Sequence, residues 1–377
     1  VEPELQKKGI SKFDEWAANY GRTISVFEPK PEQGGYQMKE RFAKFVNLPE
    51  LITLFRSFSD VVTSDMLEIP RPKVRAREVL SEMSPEQQDF MAELQGRAEF
   101  IRKDPREAIK QGDCMLAVYG DAQKMALDIR MVNPEAPDHP GSRLNQAADN
   151  IYRVWKDTAG NRSTQIVFMD LGKPASESGA AFSTYDELIR KLQERGIPAE
   201  EIAHIYAAKN KTQRARLFQA MNEGRIRVLM GSTMKLGVGV NVQRKLVAAH
   251  HLDLPHRPAD YEQRNGRIER QGNENPEVET YTYLTKGTLD ELKASTLARK
   301  AKFISAVMQG KSTVREAEDV GGLVATFEQF QAAASGDPRV MRMMEVEAEI
   351  ARLGAVQSAW NDQRWTLRRE AGQIPRE

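Results

Sequence analysis

The chain has one cysteine, Cys114, in 377 residues. A lone thiol excludes an internal disulfide and a zinc site built from thiolates, and it points to the cytosol. Histidine is almost as scarce. His139, His204, His250, His251 and His256 are the full set, and no two stand at the spacing of a zinc-binding helix; they read as packing or surface residues. No apolar run approaches the roughly 18–20 residues that a membrane span needs. The longest candidates, Ile226–Met230 and Leu246–Leu254, have the length of strands. The opening Val1-Glu2-Pro3-Glu4 has neither the basic start nor the apolar stretch of a signal peptide. It also lacks an initiator Met, which points to a fragment or a processed piece. An excess of one charge is missing too: Lys and Arg total 55, Asp and Glu 54. That balance excludes a polybasic tail or an acidic disordered chain, but it leaves room for a local basic groove.

What is present is a core-forming composition, 40% hydrophobic and 29% charged, in three textures. Residues 1 to about 145 read as helical and irregular. Asp14–Tyr20 and Glu40–Phe58 look amphipathic, with Phe42, Phe45, Leu48, Leu51, Leu54, Phe55 and Phe58 at three- and four-residue steps. The Pro/Arg/Lys segment Ile69–Arg77 should be extended. Ser84-Pro85-Glu86-Gln87 is a helix start, with Ser as N-cap, Pro first and Gln third. Val132–Gly141, with three prolines, reads as a loop.

From about 146 to 308, short apolar runs alternate with helical segments. The strand candidates are Gln165–Met169, Ile202–Tyr206, Ile226–Met230, Leu246–Leu252 and Val278–Leu284. The helix candidates are Thr184–Arg195, Thr212–Asn222, Pro258–Arg270 and Thr288–Met308. This order predicts an α/β layer fold with a mostly parallel sheet covered on both faces. Residues 309–377 return to helix, and Met341–Arg369 reads as a brace, a coiled coil or a docked amphipathic helix.

Two stretches carry candidate chemistry. Met230-Gly231-Ser232-Thr233-Met234-Lys235-Leu236-Gly237-Val238-Gly239-Val240-Asn241-Val242 follows a strand directly. Ligands gather outside the carboxyl ends of parallel strands, and a small Gly-rich turn lets backbone, hydroxyl and ammonium groups meet a phosphate. It is not a dinucleotide fingerprint, because Val242 stands where the third Gly belongs. The second stretch is Asp260-Tyr261-Glu262-Gln263-Arg264-Asn265-Gly266-Arg267-Ile268-Glu269-Arg270-Gln271-Gly272-Asn273. On a helix, Gln263, Arg267 and Arg270 share one face. Two guanidinium forks there suit phosphate recognition; the plain alternative is a solvated face with Glu262 and Glu269 pairing locally.

Taken in order, these stretches resemble the second RecA-like lobe of superfamily 2 helicases, and most of all the Snf-two branch of DNA translocases. Ser232-Thr233, Gly237, Gly239 and Asn241 match that family's Ser-Thr-Arg-Ala-Gly-Gly-Leu-Gly-Ile-Asn-Leu motif. Gln263, Arg267, Arg270 and Gly272 match its Gln-Ala-x-x-Arg-x-His-Arg-x-Gly-Gln motif. His251-Leu252-Asp253-Leu254-Pro255 resembles the strand between them, and Thr280–Glu291 the strand and helix that close the lobe. Met234, Lys235 and Leu236 depart from Arg-Ala-Gly, and Arg264, Glu269 and Asn273 depart from Ala, His and Gln.

The resemblance implies a linker region between helicase lobes over 1–145, a RecA-like lobe over 146–310 and a helical extension over 311–377. It implies that Arg267 and Arg270 are catalytic arginine fingers, and that with Gln263, Gly237 and Gly239 they bind ATP. Ser232, Thr233, Lys235 and Asn241 would touch the backbone of nucleic acid, with double-stranded DNA the expected partner. The Mg²⁺ ligands would lie on an N-terminal lobe, in the same polypeptide or in a partner chain. These residues contain no P-loop: Gly310-Lys311-Ser312 has Ser305 where the first glycine belongs and follows a helix. Neither Asp186-Glu187 nor Asp290-Glu291 ends an apolar strand, so neither passes as a Mg²⁺ carboxylate pair. The chain is therefore expected to be the C-terminal half of an ATP-dependent motor, a poor ATPase alone, in the cytoplasm of a bacterial or phage-infected cell. Similar lobes occur in large phage and plasmid proteins that carry an adenine methyltransferase; no Asn/Asp-Pro-Pro-aromatic motif occurs here. The alternative is a non-catalytic nucleic-acid- or protein-binding module derived from such a lobe.

Overall fold

A computed structural model of the protein describes residues 2–7, 9–29, 36–60, 69–236, 240–309 and 316–318. The proposed helix Met341–Arg369, nearly all of the extension over 311–377, the Gly310-Lys311-Ser312 decoy, and Gly237 and Gly239 fall outside them.

The N-terminal part begins with α1 (Glu2–Lys7), α2 (Phe13–Tyr20) and a hairpin of β1 (Gly21–Pro29) with β2 (Tyr36–Val46), followed by α3 (Leu48–Phe58). The hairpin corrects the expected helix over Glu40–Phe58. Residues up to Val46 are strand, paired antiparallel with β1, and the helix starts only after Asn47, which holds a left-handed backbone (φ 52°). The three- and four-residue spacing was real, but β1 carries Thr23, Ile24, Val26 and Phe27, and residues of this kind favour a paired strand. Asn tolerates the left-handed kink between the two elements better than most side chains.

Next come β3 (Lys73–Ser81), α4 (Pro85–Lys103), α5 (Pro105–Lys110), α6 (Met115–Leu127) and α7 (Arg143–Asp157). The start of α4 is the expected capping box. Ser84 Oγ accepts from the Gln87 amide at 3.2 Å, and Gln87 Oε1 accepts from the Ser84 amide at 2.9 Å. The Gln87 side-chain amide also donates to the Met125 carbonyl at 2.7 Å, so the cap ties α4 to α6.

The remainder alternates: β4 (Thr164–Phe168), α8 (Ala175–Ser178), α9 (Thr184–Glu194), β5 (Ile202–His204), α10 (Lys211–Asn222), β6 (Val228–Gly231), α11 (Thr233–Leu236), β7 (Leu246–His251), α12 (Pro258–Asn265), β8 (Glu277–Thr285) and α13 (Leu289–Gln309). A short β9 (Glu316–Glu318) pairs with β2. The main sheet has the order β3-β8-β7-β4-β6-β5, and every pair is parallel. This is the expected α/β fold. One strand comes from the region read as linker: β3 lies along β8 from Lys73 opposite Glu277 to Ser81 opposite Thr285. It is the exposed edge, blunted by charge, with Arg75 paired to Glu277 and Arg77 to Glu279.

Both sheet faces are buried. All five residues of β4 are inaccessible, and alternate side chains feed two cores. Val167, Met169, Val228 and Met230 pack with Leu144, Ile151, Leu188 and Leu192 of α7 and α9. Ile166, Phe168, Leu229 and Ala249 pack with Met221 of α10 and with Val240, Val242 and Ile268. His250 and His251 of β7 are fully buried packing residues, as expected. His250 lies 2.9 Å from the Tyr283 hydroxyl and 3.0 Å from Gln165 Oε1, and stacks on Tyr281. His251 stacks on Phe168 and reaches Asn265 Oδ1 at 2.9 Å. Burial pushes His250 down to about 3, and His251 also falls well below the usual histidine range, again chiefly through burial.

Candidate functional site

The carboxyl ends of β4, β6 and β7 deliver Asp170, the Ser232–Leu236 turn and Asp253 to one edge of the sheet. Gly231 makes the turn possible. A Cβ there would stand 2.5 Å from Leu236 Cδ1 and 2.8 Å from Ile205 Cγ2, so only glycine lets α11 fold back onto the strand it leaves.

A buried cation holds these ends together. Arg264 of α12 has no exposed surface. Its Nε donates to Thr233 Oγ1 at 2.9 Å and its Nη1 to the Asp253 carbonyl at 2.6 Å. Its Nη2 donates to Asp170 Oδ2 at 2.7 Å and Asp253 Oδ1 at 3.0 Å, and the guanidinium lies 5.3 Å from the Phe168 ring centre. Asp170 also accepts from the amide (2.6 Å) and hydroxyl (2.7 Å) of Thr233. Asp253 Oδ2 accepts from the amides of Asp170 and Leu171 at 2.5 and 3.0 Å. Every oxygen of the two carboxylates is engaged, which is what a charge cluster must achieve once it has left water. The hydroxyl of Thr233, read from the sequence as a contact to nucleic acid, is spent inside this cluster.

The expected helix Pro258–Arg270 is shorter than predicted. It ends at Asn265, with the Gly266 amide closing the last turn onto the Glu262 and Arg264 carbonyls. Gln263, Arg267 and Arg270 therefore do not share a helical face; Gln263 is exposed on α12, and both arginines follow its end. Glycine is a poor helix residue, and stopping at Gly266 lets Ile268 enter the core. The two arginines are nevertheless brought together by a different device. Arg267 Nη1 donates to the Val240 carbonyl at 2.8 Å, and Arg270 Nη1 approaches the same oxygen at 3.4 Å. Both are half-buried. Burial, and secondarily the neighbouring Arg270, lower the Arg267 pKa. Asn273 closes the segment by donating to the carbonyls of Leu246 and Ile268 at 2.8 and 3.2 Å.

Beside the buried cluster opens a cavity of about 330 Å³. Ser232, Thr233 and Lys235 line it, as do Lys173 after β4 and Lys293 of α13. Ser232 is buried and Lys235 exposed. Asn241 is exposed, next to Val240 in the chain, and its carbonyl accepts from the Asn222 side chain at 2.8 Å; it does not line the cavity. The expected set thus divides in two, with Ser232, Thr233 and Lys235 at the cavity and Asn241 away from it.

One domain comparison gives a match within this region. Residues 166–272 match the helicase conserved C-terminal domain. The helicase-type segment runs from β4 to the turn after Arg270, so it contains the Arg264 cluster and both arginines, while α13 lies beyond it. The match agrees with the RecA-like α/β lobe expected from the sequence. Over 130 residues the chain is 34% identical to Defense against restriction protein B of Escherichia phage P1, an alignment spanning 34% of this chain and 6% of that protein. The C-terminal part of the Fun30 ATPase domain superposes with a TM-score of 0.45 at 13% identity, over 61% of this chain and 90% of that one. The Sulfolobus solfataricus SWI2/SNF2 ATPase core in complex with dsDNA gives 0.42 at 16% identity, over 69% and 52%.

Sequence reading passed over Arg264 as a departure from the family motif, passed over Asp170, and had no reason to select Lys293. A signal for the cluster existed: two apolar strands, each followed within two residues by an aspartate, put two carboxylates at one sheet edge, where burial would call for donors or a cation.

Proposed function

We propose that this chain supplies the second lobe of an ATP-dependent DNA helicase or translocase of the Snf-two type, with Arg267 and Arg270 as its arginine fingers. The observation that carries the reading is their convergence on the Val240 carbonyl at the end of the Ser232–Val242 segment. Two guanidinium groups gathered at one carbonyl concentrate positive charge, and the phosphates of a nucleotide have the charge and the fork geometry to meet it. Among the described residues, the Arg270 guanidinium makes no further hydrogen bond, so most of its donors remain for a ligand.

Guanidinium groups so placed stabilise the charge that builds up on phosphoryl oxygens during ATP hydrolysis. Arg264 holds the segment that carries them, and the Val240 carbonyl orients the two forks. Gln263, Gly237 and Gly239 complete the nucleotide-binding set in this reading. Ser232, Lys235 and Asn241 face the nucleic-acid backbone, and Thr233 acts from behind through Asp170. Among the described residues, no group of three His, Cys, Asp or Glu side chains could hold a metal; the Mg²⁺ that accompanies ATP is assigned to the first lobe.

The test unites this chain with a first lobe that carries a P-loop and measures ATP hydrolysis with and without duplex DNA. Arg267→Ala and Arg270→Ala should each lower the stimulated rate by about 10³-fold. An unchanged rate in both variants refutes the assignment. DNA binding with no hydrolysis in the united protein identifies the non-catalytic module instead. Single-stranded DNA and RNA as competitors decide the preferred strand. Among the described residues, no helix is long and apolar enough to cross a membrane.

A further inference from the structure

The cavity at the sheet edge is asymmetric in its charges. Its carboxylates are all committed: those of Asp170 and Asp253 to Arg264 and to backbone amides, and that of Asp260 to Arg257 at 2.9 and 3.1 Å. The ammonium groups of its three lysines, Lys173, Lys235 and Lys293, make no hydrogen bond or ion pair among the described residues. Lys173 and Lys235 are exposed, but Lys293 is half-buried. Burying an ammonium without a partner costs free energy unless a ligand completes the site.

Lys293 is also held in place. One turn earlier on α13, Asp290 pairs with the buried Arg143, which in turn donates to the Leu252 carbonyl at 2.9 Å. Leu297 packs with Leu254 and Leu284. These contacts hold α13 against the strand ends, and Lys293 shares the cavity lining with Asp253, Leu254 and Pro255.

We propose that Lys293 is the half-buried anchor for a backbone phosphate of nucleic acid, seated in this cavity between Lys173 and Lys235. The proposal rests on the nucleic-acid reading above and adds a residue outside the helicase-type segment. The proton balance of the site supports it. Burial lowers the Lys293 pKa to about 8, against the smaller opposing pull of Asp253; Arg264 and Arg143 lower it further and Asp170 raises it. His256 is pushed down by burial and then by Lys293 itself, so it is neutral above pH 7. Lys293 is thus the cavity group that changes charge just above neutrality.

The experiment measures anisotropy of a fluorescein-labelled DNA duplex on the 377-residue chain, with the wild type, Lys293→Met and Lys293→Arg. Wild-type affinity should fall by about tenfold between pH 7 and 9 as the ammonium deprotonates. Lys293→Met should bind about tenfold more weakly at pH 7, with a flat pH profile and a salt slope smaller by about 0.9. Lys293→Arg should bind at pH 7 like the wild type and stay flat, because arginine does not deprotonate in this range. A pH profile that is the same in all three forms overturns the proposal and leaves the helicase reading standing. No binding by any form overturns both.

A second measurement is independent of the Met variant's folding. Acetylation of wild-type Lys293 by an amine-directed reagent, followed by mass spectrometry, should be suppressed by the DNA duplex. Suppression by ATP or pyrophosphate but not by DNA would assign the cavity to a nucleotide and refute the backbone assignment. Labelling indifferent to every polyanion refutes an anion site altogether.

Discussion

Replacing Arg264 with alanine tests the buried cluster directly. The guanidinium makes four hydrogen bonds, two of them to carboxylates. Its loss leaves Asp253, which is only 6% exposed, facing Asp170 with no cation between them. Breaking a buried ion pair by removing one partner costs about 3–5 kcal/mol. Here each carboxylate keeps other donors: Asp253 retains the amides of Asp170 and Leu171, and Asp170 retains the amide and hydroxyl of Thr233. That places the loss near the lower bound, about 3 kcal/mol. Lysine keeps the charge but not the fork, and should cost about 2 kcal/mol. Adding Asp170→Asn and Asp253→Asn to the alanine variant removes the stranded charge and should recover part of the loss. The assay is urea unfolding at pH 7 followed by circular dichroism, with linear extrapolation to water. A loss below about 1 kcal/mol for Arg264→Ala, or further destabilisation on adding the asparagines, refutes the account of the cluster as a mutually compensated charge site.

Acid should destabilise the fold well before carboxylates titrate. His250 and His251 are neutral when folded, with pKa values depressed by burial, but they protonate near pH 6.5 when unfolded. The contribution is complete above pH 6.5 and declines as pH falls toward the folded value, by about 1.4 kcal/mol per pH unit for each histidine. Unfolding free energies at pH 7 and pH 5 should therefore differ by about 4 kcal/mol, and equal values would refute the buried-neutral assignment. Gly231→Ala should collide with Leu236 and Ile205 and displace the Ser232–Leu236 turn, at a cost of about 1–3 kcal/mol. A variant as stable as the parent, with unchanged amide spectra across that turn, would show that the close approach is not required.

Much of the lobe was legible in the sequence because the signals were local. β4, β6 and β7 are mostly apolar runs, and each coincides with its expected strand to within two residues at either end. The Ser84 capping box needed only four residues to declare itself. The helix over Glu40–Phe58 failed because a three- and four-residue spacing does not reveal a partner strand elsewhere. The helix over Pro258–Arg270 failed at Gly266, where the pull of Ile268 into the core outweighed helical continuation.

The sequence alone determined the alternation of strands and helices, the small turn after β6, and the presence of two arginines three residues apart. Those properties follow from side-chain periodicity and backbone freedom, which act over a few neighbours. The tertiary structure alone decided that Lys73–Ser81 joins the sheet beside β8, and that both arginines meet at Val240 rather than along a helix. It also decided that Arg264 is the charge joining Asp170, 94 residues away in the chain, to Asp253, and that Lys293 reaches the cavity. A buried charge must find its counterpart wherever the folded chain brings one within hydrogen-bond reach, and no local pattern of residues encodes that distance.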